Sequence, residues 1–140
     1  MKFVDTNIFL RYLVKPLTAV DQRKHAACAH LFRRLQVGDE QARTCEAVVA
    51  EVLYVLCSPR QYSLSPADAA ARLRPLLALR GLRLPNKRVY VRALDLFTTY
   101  PFLDVEDAFQ VAHMEREGIE ELYSYDTDFD RLPTIARQEP

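Results

Sequence analysis

The chain has 140 residues, 49% of them hydrophobic and 27% charged, with a formal net charge of zero. This is an ordinary soluble composition, and it excludes a disordered tail, a low-complexity tract and, with no long apolar run, a membrane span. Three cysteines (Cys28, Cys45, Cys57) are an odd count without Cys-x-x-Cys spacing, so neither a disulfide framework nor a zinc knuckle is expected.

Phe3-Val4 reads as a short strand running into Asp5-Thr6-Asn7, which is helix-capping chemistry. Ile8 to Val14 follows as a helix stopped near Pro16. Ala19 to Val37 is a longer amphipathic helix with Gly38 at its C-cap. Ala42-Arg43-Thr44 is a candidate strand before a helix from Glu46 to Cys57, ended by Ser58-Pro59. Ser65-Pro66-Ala67-Asp68 is a helix start, and that helix runs towards Leu79 with Gly81 as terminator. Leu82-Arg83-Leu84 alternates as a strand, and Lys87 to Thr99 carries apolar residues at helical spacing. Pro101 breaks the chain before a helix from Val105 to Glu117, closed by Gly118. Leu122-Tyr123-Ser124-Tyr125 is a strand and Thr134-Ile135-Ala136 a candidate last one.

Strands alternating with helices imply an α/β layer structure with a mostly parallel sheet. The length fits a single domain over residues 1–140. Asp5 interrupts the N-terminal apolar stretch too early for a signal peptide, so a reducing, cytoplasmic home is expected.

The zero net charge hides an asymmetry. From Ala69 to Leu94 there are seven basic residues and no acids; from Asp104 to Asp130 there are ten acids and one base, Arg116. Either these are solvated helix faces, or a phosphate-attracting surface lies near an acidic pocket.

Four acids stand in apolar settings. Glu51 is alone in the run Ala47 to Cys57, where an unpaired buried carboxylate would cost several kcal/mol. It is therefore protonated, at the mouth of a cleft, or facing a positive charge. Asp5 follows Phe3-Val4, Asp107 opens Asp107-Ala108-Phe109-Gln110-Val111-Ala112, and Asp126 follows Leu122 to Tyr125. Together they read as a site for a hard divalent cation, which takes oxygen ligands and needs no histidine. Singly, Asp5 also reads as a cap, Asp107 as a first-turn partner of the helix dipole and Asp126 as a turn residue.

Val4-Asp5-Thr6-Asn7, Val48-Val49-Ala50-Glu51-Val52, Asp107 to Ala112 and Ser124-Tyr125-Asp126-Thr127-Asp128-Phe129 resemble, in order and spacing, the four blocks of PIN-domain nucleases. The similarity is greatest to the VapC-type toxins of bacterial toxin–antitoxin pairs. The resemblance implies a three-layer α/β/α sandwich and an Mg²⁺- or Mn²⁺-dependent endoribonuclease. It assigns Asp5, Glu51, Asp107 and Asp126 as catalytic metal ligands, with Thr6, Asn7, Ser124 and Asp128 in support. It also implies an RNA substrate, a cognate antitoxin and a homodimer. Lys87, Arg88 and Arg92, from the basic stretch, are candidates for contacting RNA phosphates. The rival readings are a catalytically silent PIN-like module that binds RNA or protein, and a phosphoacceptor domain with Asp5 as nucleophile. The acid-rich third of the chain lacks the lysine that the second of these wants.

Overall fold

The computed structural model describes residues 1–140, which form two compact units, Met1–Lys87 and Arg88–Pro140.

The first unit contains β1 (Lys2–Phe3), α1 (Thr6–Leu13), α2 (Ala19–Val37), β2 (Ala42–Arg43), α3 (Glu46–Cys57), α4 (Pro66–Leu77) and β3 (Leu82–Arg83). Its strands pair in the order β1-β2-β3, all parallel, with Lys2 opposite Ala42 and Ala42 opposite Leu82. Helix starts follow local chemistry. Asp5, Thr18 and Ser65 each turn a side-chain oxygen onto an amide three residues on, satisfying a donor that the helix cannot. α2 ends at Gly38, whose φ of 90° is the left-handed conformation expected of a C-cap glycine. The core gathers Phe9, Phe32, Leu35, Val49, Val52, Leu53, Leu56 and Leu73, and the Phe9 and Phe32 rings lie 5.4 Å apart.

The expected role of Gly81 as helix terminator is corrected. α4 ends earlier, with Ala78 at its C-cap, and Gly81 has no positive φ. It serves a close backbone crossing instead. A Cβ there would lie 2.2 Å from the Glu40 carbonyl oxygen and 2.9 Å from that of Leu35. The glycine amide donates to the Leu35 carbonyl at 2.8 Å, while its own carbonyl accepts from Ala42 at 2.9 Å. Gly81 therefore fixes the end of α2 against the entry of β2.

The second unit holds α5 (Lys87–Thr99, entered at the junction), α6 (Val105–Glu117), β4 (Glu121–Tyr123), a 3₁₀ turn (Thr127–Arg131) and β5 (Ala136–Gln138). β4 and β5 pair in parallel, Glu121 opposite Ala136. Asp104 caps α6 and Gly118 closes it at φ 69°. Buried Tyr90 meets Phe109 edge to face at 5.6 Å. Every strand pairing in either unit is parallel, which is the α/β arrangement expected from the alternation of elements. The last strand falls at Ala136–Gln138, two residues beyond the start expected at Thr134. No helix is long and apolar enough to cross a membrane.

Candidate active site

In the first unit the site begins where β1 becomes α1. The buried Thr44 hydroxyl donates to the Val4 carbonyl at 2.9 Å, and the Val4 amide donates to the Arg43 carbonyl at 2.9 Å. The peptide leading into Asp5 is thus held from both sides. Asp5 then caps α1, its Oδ1 accepting from the Ile8 amide at 3.3 Å. Its neighbour Thr6 donates its hydroxyl to Glu51 Oε2 at 2.6 Å, which ties the second acid of the motif series to the residue next to the first.

The burial argument for Glu51 is corrected. Glu51 is exposed; α3 buries one stripe, Val49, Val52, Leu53 and Leu56. Ala47, Glu51 and Tyr54 share the opposite side, with Tyr54 64% exposed. The apolar run misled because two of its members, Ala47 and Tyr54, face outward. What singles out Glu51 is the bond from Thr6 rather than desolvation.

In the second unit Asp104 caps α6 by accepting from the Asp107 amide at 2.8 Å, which sets Asp107 in the first turn, half-buried. Burial, then the charge of Asp104 and a hydrogen bond with it, push the Asp107 carboxyl up to about 6, and the charge of Asp126 adds to this. Asp126 is itself positioned from both sides. Its amide donates to Ser124 Oγ at 3.0 Å, and its Oδ1 accepts from the Asp128 amide at 2.9 Å. Arg137 braces this turn, donating to the Ser124 carbonyl at 2.8 Å and through its fork to Asp130 at 2.9 and 3.0 Å.

The four acids of the motifs therefore fall into two pairs, Asp5 with Glu51 and Asp107 with Asp126. Within neither unit do three His, Cys, Asp or Glu side chains make a closed metal cage. The donor chemistry nevertheless fits a hard cation. The groups are carboxylates and hydroxyls, with no thiolate or imidazole among them; burial, with added repulsion from Asp104 and Asp126, disfavours the charged Asp107, and a bound cation would offset both.

Of the other candidates, exposed Asn7 lines a cavity of about 320 Å³ beside α1. Asp128 is half-buried, and its amide is capped by the Asp126 carboxylate. Lys87 and Arg88 are exposed, whereas the Arg92 guanidinium forks onto Glu115 at 2.5 and 2.9 Å. Sequence reading missed Thr44; its only signal is a hydroxyl where a strand ends.

Parallel strands alternating with helices, with Asp5 following β1 and Asp126 following β4, define an α/β protein that carries an oxygen-rich polar cluster in each unit. The chain belongs to the PIN domain family, whose sequence model matches residues 2–135, across both units. This is the family that the four motifs resemble. Among solved structures the chain is similar to VapC20 of Mycobacterium tuberculosis, described as a toxin that cleaves the sarcin–ricin loop. The identity is 19% and the TM-score 0.39, over 96% of this chain and 97% of that one. A comparison with curated protein sequences gave no match.

Proposed function

We propose that this PIN-domain chain is a divalent-metal-dependent endoribonuclease, the toxin of a toxin–antitoxin pair. The observation that carries the metal-dependent reading is at the start of α6, where burial, and after it the charge of Asp104, push Asp107 up to about 6. Acids placed at such a cost without a counter-charge suit a cation site. The nuclease reading rests on family membership and on the four motif acids being present at their expected positions.

The carboxylates of Asp5 and Glu51 in the first unit, and of Asp107 and Asp126 in the second, would serve as ligands for the cation, Mg²⁺ or Mn²⁺. Bound there, it supplies polarisation of a phosphoryl oxygen and activation of water. The chain's own contribution is positional. Thr6 orients Glu51, Ser124 and the Asp128 amide orient Asp126, and Asp104 orients Asp107. Lys87 and Arg88 attract the RNA backbone without reading bases. A small antitoxin covers the acidic site, and the toxin pairs with a second copy, which light scattering checks.

The deciding experiment incubates purified protein with structured RNA in Mg²⁺, in Mn²⁺ and in EDTA, beside Asp5→Asn. Cleavage that needs the cation and Asp5 is expected. A folded protein that binds RNA but cuts none under any cation leaves only a silent binding module.

A further inference from the structure

We propose that the cavity beside α1 is a subsite for one nucleotide of the RNA strand, away from the scissile bond. Its phosphate lies on Arg11 and Lys15 and its base against Tyr62. The proposal rests on the ribonuclease reading above and adds a place where the substrate is held.

The cavity is built by one face of α1 and a loop far off in sequence. Asn7, Leu10, Arg11 and Val14 recur at helical spacing and share a side; Lys15 follows the helix, and Tyr62 comes from the α3–α4 loop. Two cations line it against one acid, Asp21. Asp21 takes one nitrogen of Arg11 at 2.5 Å, and a guanidinium has further donors to offer. Lys15 is exposed and brings a compact, mobile charge suited to phosphate. Tyr62 is 43% exposed, and stacking on a tyrosine ring accepts any base.

Size separates the occupants. About 320 Å³ lies at the small end of ligand sites, suited to a single nucleotide. A docking helix, about 10 Å across with its side chains, needs a longer groove. Location favours the same strand that is cut. Arg11 lies six positions beyond Asp5, about 9 Å along the axis, and Asn7 lies between them. Asn7, two residues after Asp5, belongs to the cavity lining, so the cavity begins within one turn of that acid.

Binding of a short fluorescein-labelled single-stranded RNA of mixed sequence is measured by anisotropy in EDTA, where the strand stays intact. Lys15→Ala and Tyr62→Ala should each weaken binding roughly tenfold. Lys15→Ala should also lower the salt slope by about one, and Tyr62→Phe should bind as wild type does. Arg33→Ala, on exposed α2, serves as a charge control and should leave the affinity unchanged. Unchanged affinity and slope in Lys15→Ala and Tyr62→Ala, with wild-type circular dichroism, overturn the subsite. Cleavage in Mn²⁺ is scored separately. Binding through these residues without any cleavage removes the nuclease reading and keeps the subsite. Cleavage with unaltered KM in both variants does the reverse.

Discussion

The Thr6 hydroxyl donates to Glu51 Oε2 over 2.6 Å, joining residues 45 positions apart. A short bond to a carboxylate is charge-assisted and directional, so it sets which way Glu51 points. Thr6→Val keeps the shape and deletes the donor. Metal-dependent cleavage should fall by about tenfold, the lower end for losing a group that orients a ligand, and the Mn²⁺ midpoint should rise. Thr6→Ser should restore both. A Val variant with the wild-type midpoint would show that the bond is incidental.

Under the proposed function Asp5 has a second duty besides capping, and the two are separable. As a cap it stabilises α1, and Asn caps as well as Asp, whereas Ala costs about 1 kcal/mol. Asp5→Asn should therefore melt as wild type does while losing cleavage. Asp5→Ala should lose cleavage and also about 3 °C of Tm. Thermal melts beside a cleavage assay check the pair. Retained cleavage in Asp5→Asn contradicts the assignment.

Asp107 makes a pH prediction. Its carboxyl is raised from 3.8 to about 6 in the folded chain, so the native state holds the proton more tightly than the unfolded state. The contribution of this group to stability is full below about pH 4 and is lost as pH rises through about 6. Metal-free protein should thus show a Tm component that declines over this window, and Asp107→Asn should flatten it. Millimolar Mg²⁺ should raise Tm above pH 6, because it binds the ionised form. Cleavage should climb across the same window, since proton and cation compete for the group. A Tm that ignores Mg²⁺ at pH 7.5 counts against a site of useful affinity.

Gly81→Ala should be among the most damaging single-methyl changes available. The new carbon would meet two backbone carbonyls, at 2.2 and 2.9 Å, and neither can swing aside as a side chain can. Overpacking of this kind costs at least about 2 kcal/mol. Gly38→Ala should cost about 1 kcal/mol, because it forces φ of 90° while its nearest neighbour is the flexible Arg80 side chain. Urea midpoints rank the two, and equal losses would refute the close-crossing account.

Much of this was legible beforehand. Helix starts at Asp5, Ser65 and Asp104, and stops at Gly38 and Gly118, follow from capping chemistry confined to a few neighbouring residues. The parallel pairings follow from the alternation of elements. Gly81, Thr44 and the cavity were not legible, because each depends on partners distant in sequence: Leu35 and Glu40, Val4, and α1 with Tyr62. Glu51 was singled out on a mistaken premise. Hydrophobic content along a run does not say which side of the helix faces water, and here the acid lies on the wet side.

Thr44 carries a practical consequence for genetics. It is the one buried polar residue, and its hydroxyl is spent holding the peptide that delivers Asp5. If expression of this chain arrests growth, suppressor screens should recover Thr44→Val and Thr44→Ile alongside changes at the acids. Such alleles would yield abundant but crippled protein; under the toxin reading it would draw the neutralising partner away from the intact gene product, and so sensitise cells that carry both copies.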